Sequence, residues 1–449
     1  MAFASYRAIT IPAANIPGSQ TDYPFLFTGT YAFLIDAAHG GTVRSTVGND
    51  IVFATDTAGT MVLDFERVFY RASDGYCEFR VRTQPVAGAD YILYVCFDDA
   101  SVSGYLGNNS GTWASAYRAV WHFGDGVTLS GADSTANANT GTATGGPTAV
   151  TGQITGGASF TSTSAALNLV NTTSLRVAVP FGFRFWVNPS SYNPNHGFVM
   201  YLKDTLGNFN YGVAVNPTGH MAFVYVNGSF TPLLTDTTVV PLNTWTHVDI
   251  VVTQVGGNST VDFYINNVHS STQTSLISIP GMTTGGNGQI GNDGGAGNAL
   301  DGAVDELMLY SGTLGANLRA MLHANEFSPA TFYNITTAVA WTSECTIAIV
   351  VGFAAHGTAA YGPSCAIPIG VGCGASSNTG YGGASCTITI GAGVSAHATV
   401  DYESAKCTIP IVVHVGAIAS IGTVPLTCLT GSGTGAAVIP PGVDPGWAY

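Results

Sequence analysis

The sequence reads as an all-β chain in three successive regions: an N-terminal β-sandwich, a jelly roll of two antiparallel sheets and a C-terminal β-repeat. Three observations carry that reading. Glycine occurs 57 times, and Thr, Ser and Asn separate short runs of Val, Ile, Tyr and Phe, a composition that suits strands and turns. Helical periodicity surfaces at one place, 315–326, where Leu318, Met321 and Leu322 fall at i, i+3 and i+4. Cysteines then recur at a fixed interval through the last quarter of the chain.

Composition narrows the function classes. With 449 residues, 46% apolar and 11% aromatic, the chain has material for several domains and a sizeable core. Only 8% of residues are charged, against about a quarter in typical domains. Twelve basic and 26 acidic residues give a net charge of −14, and Lys203 and Lys406 are the only lysines. Phosphate-backbone binding requires a surplus of Lys and Arg, so no nucleic-acid partner is expected. No run of 18 apolar residues occurs, so no membrane insertion is expected. The N-terminus shows no basic stretch followed by an apolar one, which predicts synthesis in a cytoplasm without a secretory signal.

In the first region, 1–118, strands are expected at 6–12, 23–34, 50–55, 62–70, 76–83 and 91–97, with turn signals at Asp56–Gly59 and Val86–Ala89. Short strands at such spacing predict a sandwich. In the second, 119–328, strands are expected at 183–187, 197–202, 211–215, 221–226, 246–253, 261–265 and 303–310, followed by the single helix. Many strands with one late helix suit a jelly roll.

The third region, 329–449, is the repeat. Cys345, Cys365, Cys386, Cys407 and Cys428 stand 20, 21, 21 and 21 residues apart. Alanine follows ten residues after each of the first four, at 355, 375, 396 and 417, and Tyr361, Tyr381 and Tyr402 recur sixteen residues after theirs. A unit of that length holds two strands and two turns, which predicts a meander or a solenoid growing by one strand pair per repeat. From 331 onward Glu344, Asp401, Glu403, Lys406 and Asp444 are the only charged residues. Uncharged strand edges invite pairing, so the tail is expected to join copies of the chain, a trimer being the first expectation, or to dock on a larger body.

Few residues carry chemistry. The repeat cysteines share a strand face with the isoleucines two and four positions later, and two readings stand: stacked small core residues, or a disulfide ladder between repeats or chains. Cys77 and Cys96, on consecutive expected strands, read either as a bonded pair or as two core thiols. No GxSxG, HExxH or phosphate-binding glycine loop with a following lysine occurs. Asp249 and Asp262, on neighbouring expected strands, could form the carboxylate pair a glycosidase needs, but solvated strand positions account for them more simply. In Trp245-Thr246-His247, alternation places the tryptophan inside and the histidine hydrogen-bonded or exposed. Asp133, Asn137 and Asn139 in a glycine-rich loop, with Asp305 after Asp301, offer hard oxygen ligands for calcium; ordinary Asx-turns account for the same residues without a metal.

Several motifs taken together carry a resemblance. They are Val120-Trp121-His122-Phe123, Phe185-Trp186-Val187-Asn188-Pro189, Trp245-Thr246-His247-Val248, Phe263-Tyr264-Ile265-Asn266-Asn267, Ile290-Gly291-Asn292 and Leu300-Asp301-Gly302-Ala303-Val304-Asp305-Glu306-Leu307. In that order the second region resembles a laminin-G-like, concanavalin A-like jelly-roll module. The first region, from Tyr6-Arg7 through Asn49–Phe53 and Tyr91–Val95 to Trp113 and Tyr117, resembles the β-sandwich domain of unknown function that often precedes this jelly roll in phage and prokaryotic surface proteins. The resemblance implies sugar or protein-surface binding, sometimes with a structural calcium, for which Asp133 and Asp305 are the positions carried over.

Two adhesive sandwiches ahead of a low-charge repeat, without a signal peptide, fit a non-enzymatic bacteriophage virion protein: a head fibre, capsid decoration or tail fibre, assembled in the host cytoplasm beside other virion proteins and displayed on the virion surface. A prokaryotic cell-surface adhesin and a virion-associated polysaccharide depolymerase are the alternatives. Host-surface glycans are the expected partners. By position, Tyr192 and His196 (192–196), Phe230 (227–230) and Asn292 (292–298) are the contact candidates, the aromatics as faces for a sugar ring.

Overall fold

The structure, a computed structural model, describes residues 3–229, 231–282, 285–294 and 297–336 fully and, beyond them, the backbone of strands between 345 and 438. It divides into two compact units, Met1–Thr336 and Thr337–Tyr449. The all-β expectation holds: helices are few and short, and none among the described residues is long and apolar enough to cross a membrane.

The first unit begins with a small sandwich. Its four-stranded sheet runs Asn334–Ile335, Ser5–Ile11, Tyr91–Phe97, Val52–Ala54; its three-stranded sheet runs Tyr23–Thr30, Tyr76–Thr83, Phe65–Arg71. Alternation along Tyr76–Thr83 sends Cys77, Phe79 and Val81 into the core, where they meet Phe25, Phe27, Phe53 and Phe65. Aromatic pairs such as Phe27–Phe53, with ring centres 5.3 Å apart and edge on, fill the space between the sheets.

The jelly roll is larger. An eight-stranded sheet contains Phe181–Pro189, Thr246–Val255, Asn258–Ile265 and Gly302–Ser311; a seven-stranded sheet contains Gly197–Lys203, Phe209–Val215, His220–Val224 and Asn287–Ile290. Every pairing between strands of the two sheets is antiparallel. Trp121, Phe183, Phe185, Met200, Tyr211, Phe223, Phe263 and Leu309 lie between the sheets, fully buried.

The expected helix forms at Ala316–Phe327, and its partners are on both sides. Met321 and Leu322 join the core of the small sandwich, together with Tyr310, Leu314, Phe332 and Tyr333. Asn325 imitates a neighbouring strand: Leu26 N–H donates to its Oδ1 (2.8 Å) and its Nδ2 donates to Leu26 O (3.0 Å). His323 stacks on Trp186 of the jelly roll, ring centres 6.0 Å apart. The chain then returns so that Asn334–Ile335 pairs with Ser5–Ile11. Residues from both ends of the first unit therefore complete one sandwich.

In the second unit the described strands stack in parallel and in register: Cys345 opposite Cys365, Cys365 opposite Cys386, Cys386 opposite Cys407 in one sheet, and Ala355, Ala375 and Ala396 in another. A meander is antiparallel, so of the two architectures expected the solenoid is the one formed. The side chains of the repeat cysteines, Cys428 among them, lie outside the described residues.

Candidate functional site

The two sheets of the jelly roll present different outer faces. The eight-stranded sheet turns Arg184 and Trp186, His247 and Asp249, and Glu306 toward the helix and the small sandwich. Alternation along Phe181–Pro189 requires this, because Phe183, Phe185 and Val187 face inward. Against them the small sandwich turns Glu66, Glu78 and Arg80, and the helix adds Glu326. All are 5% exposed or less.

Ion pairs link these groups across the seam. Arg80 donates Nη2–H to Glu306 Oε2 (2.5 Å) and Nη1–H to Glu326 Oε1 (3.1 Å). Arg184 donates Nη2–H to Glu326 Oε2 (2.8 Å) and Nη1–H to Asp249 (3.2 Å). His122 donates Nδ1–H to Glu306 Oε1 (2.5 Å), and its Nε2 lies 3.5 Å from Glu66 Oε2. Glu66 is itself held by Trp113 Nε1 (2.8 Å) and Ser134 Oγ (2.5 Å). Paired charges in so dry a place shift one another. Burial opposes charge on His122, yet Glu306 and Glu66 outweigh it and hold the imidazole well above its ordinary pKa. Burial and Glu306 push Glu78 up to about 7, and the same two causes raise Asp305. His247 and His323 move the other way, through burial and then Arg184, His323 to about 4.

Above the seam lies a cleft of about 300 Å³ lined by Thr28, Tyr76, Thr155, Glu326, Phe327 and Pro329. Tyr76 and Thr155 close one side through a 3.1 Å hydroxyl contact.

The outer face of the seven-stranded sheet is aromatic and amidic. Phe198 and Phe209 stack at 5.3 Å with 6° between their planes, and Tyr201 meets Phe209 edge on. Lys203 Nζ sits 4.7 Å from the Tyr201 ring centre and 4.6 Å from that of Phe209, and donates to Asp293 O (2.7 Å). Beside them exposed Asn168 accepts from Gln289 Nε2 (2.6 Å). Two expected contact loops meet at this end: Asn193 Nδ2 donates to Ala299 O (2.9 Å) and Asn195 Nδ2 to Gly297 O (3.4 Å).

Apart from Phe230 and the repeat cysteines, the structure gives each expected site residue a place. Tyr192 is half-buried and donates its hydroxyl to Val240 O (2.7 Å), so its ring braces the loop. His196 is half-buried, its pKa lowered by burial. Asn292 is buried, donating to Thr163 O (3.1 Å) and accepting from Asp293 N–H. Phe230 lies outside the described residues. Asp133 Oδ1 accepts from Val120 and Thr135 N–H, and Oδ2 from Asn139 N–H and the Thr135 hydroxyl. Asn137 donates Nδ2–H to Arg118 O (2.9 Å). Asp305 is fully buried elsewhere, accepting from Ile154 N–H (2.8 Å), its Oδ1 unpartnered. Cys77 and Cys96 are free buried thiols on opposite sheets of the small sandwich, so the bonded-pair reading is corrected. Asp249 is paired with Arg184, while Asp262 accepts from the Thr272 hydroxyl (2.5 Å), so the two do not form a free carboxylate pair. The Trp-Thr-His expectation is reversed: His247 is fully buried with neither ring nitrogen hydrogen-bonded, and Trp245 is only half-buried. His247 does lie on the strand's outer face, and that face is covered by the helix rather than by water, which the local pattern does not show.

Residues 161–317 match the family described as the concanavalin A-like lectin/glucanases superfamily, so this part of the chain is a laminin-G-like, concanavalin A-like jelly-roll domain. No curated protein matches the chain. Among solved structures, domain 4 of the extracellular arabinanase AbnA from Geobacillus stearothermophilus, in complex with arabinotriose, is 20% identical. The match covers 46% of this chain and 98% of that one, with a TM-score of 0.36. The binding domain of Paraclostridial Mosquitocidal Protein 1 is 14% identical over 43% of this chain, TM-score 0.34, and this chain spans about half (49%) of its length. The Ruminococcus gnavus IT-sialidase CBM40 bound to α2,3 sialyllactose is 14% identical over 34% of this chain and 85% of its own, TM-score 0.29.

Proposed function

We propose that the chain is a surface-displayed, non-enzymatic glycan-binding protein of a bacteriophage virion, whose repeat tail joins copies of the chain or fixes it to neighbouring virion proteins. The observation that carries the binding part is the outer face of the seven-stranded sheet. Phe209 offers an apolar ring face, Lys203 a cation, and Asn168, Gln289 and Asn195 amides, the mixture by which a protein holds a sugar ring. The virion part is supported by the nearly uncharged tail and by strands that repeat in register, since many displayed copies turn weak single-site binding into avidity. Calcium at the Asp133 loop belongs to the same proposal, and a calcium titration that leaves the thermal midpoint unmoved removes it.

The test is retention of the full chain on immobilised host-surface polysaccharide, with sizing of the polysaccharide afterwards and light scattering of the chain alone. Retention without shortened glycan, from a stable oligomer, is the expected result. Released oligosaccharide would make it a depolymerase, and a monomer of 46.1 kDa would remove the assembly role.

A further inference from the structure

The seam holds more acid than base. Six buried carboxyl groups (Glu66, Glu78, Asp249, Asp305, Glu306, Glu326) face three guanidiniums (Arg80, Arg184, Arg319) and the His122 imidazole, an excess of two. That surplus is met by protons, since burial and Glu306 raise both Glu78 and Asp305, or by a bound cation in their place. Within the seam, Glu78, His122 and Glu306 bring one ligand atom each to within 4.8 Å of one another. Glu78 Oε1 is buried, accepts no hydrogen bond, and stands 3.9 Å from His122 Nδ1. Asp305 Oδ1 is likewise buried and unpartnered.

We propose that Glu78, His122 and Glu306 form a binding site for one divalent transition-metal ion, zinc fitting best, that locks the small sandwich to the jelly roll. The donor set argues for zinc over calcium: one imidazole nitrogen with two carboxylate oxygens suits a four-coordinate ion, whereas calcium takes six to eight oxygens. The surroundings are those of a ligating histidine. On binding, His122 gives up its Nδ1 proton to solvent and turns that nitrogen to the ion, while its Nε2 faces the Glu66 carboxylate, which Trp113 and Ser134 orient. Arg80 holds the other oxygen of Glu306 and leaves Oε1 to the ion. Ligands of a tetrahedral zinc lie roughly 3.3 Å apart, so the 2.5 Å His122–Glu306 contact opens and the 3.9 Å His122–Glu78 contact closes, each by under about 1 Å. Thr155 contacts Glu78 and lines the cleft, which gives the ion a path and the fourth position a water. The proposal is independent of glycan binding.

The experiment uses the full chain, stripped with chelator and titrated with zinc sulfate, read by calorimetry, elemental analysis and thermal unfolding. One zinc per chain and a midpoint raised by several degrees are expected, with magnesium giving neither and calcium in excess failing to displace the zinc. Glu78→Gln and His122→Gln should weaken zinc binding at least tenfold and abolish the thermal shift, while Asp74→Asn, half-buried and outside the seam, keeps both. Cobalt(II) supplies a measurement on the unaltered chain, since visible absorption of a low-symmetry site is expected at one equivalent. Failure of the native chain to take up zinc, retention of zinc by a folded Glu78→Gln chain, or a cobalt complex without that absorption overturns the proposal.

Discussion

The outer faces of the jelly roll's two sheets alternate by the same period yet end in opposite environments. The eight-stranded sheet turns Arg184, His247, Asp249 and Glu306 outward and loses them beneath a helix and a second sandwich. The seven-stranded sheet turns Asn168, Lys203 and Phe209 outward and keeps them at least partly in contact with solvent. A polar outer face therefore says only that a strand's second side is not jelly-roll core. What covers that side decides whether its charges are solvated surface or a dry ionic joint.

The largest effect should come from breaking the buried face. Arg184→Met removes the cation and leaves Asp249 and Glu326 without it, which should cost about 3–5 kcal/mol in urea unfolding. The next tests the loop beside the open face. Gly291 has φ +86°, and a Cβ there would lie 2.0 Å from a Phe160 ring carbon. Gly291→Ala should therefore cost about 2 kcal/mol or more and weaken glycan retention as the loop shifts.

A third compares acid sensitivity. His323, enclosed by Trp186, His247, Phe327, Arg184 and Glu326, has its pKa lowered from 6.5 to about 4. A depressed histidine stabilises the fold above the unfolded value and loses that contribution as pH falls from 6.5 toward 4. Between pH 7 and 5 the unaltered chain should lose on the order of 1 kcal/mol more than His323→Gln, the partial exposure of the ring keeping the difference small. The raised pKa of Glu78 works in the opposite sense, which is why the difference between the chains, not the absolute curve, is the measurement. Smallest of all, Asn168→Ala should change stability by under about 0.5 kcal/mol while reducing retention on polysaccharide, which would sharpen the contrast between the faces.

Legibility followed the range of the interactions. The repeat was readable because Cys345, Cys365, Cys386 and Cys407 mark their own register, and strands such as 197–202 and 211–215 were readable because alternation is local. The seam was not. Glu78 and Arg80 alternate with Cys77, Phe79 and Val81 as residues of any half-solvated strand would, and their partners Glu306 and Glu326 lie more than 220 residues away. The available signal was scarcity: in a chain with 8% charge, Glu-x-Arg on one strand and an adjacent Asp305-Glu306 on another are concentrations that call for an explanation.

The in-register tail also sets a length rule. Each repeat of 20 or 21 residues advances the stack of strands by one strand spacing, about 4.8 Å. Duplicating or deleting whole units would thus change its reach in small equal steps without redesigning either terminus, as segments are added to a telescoping mast.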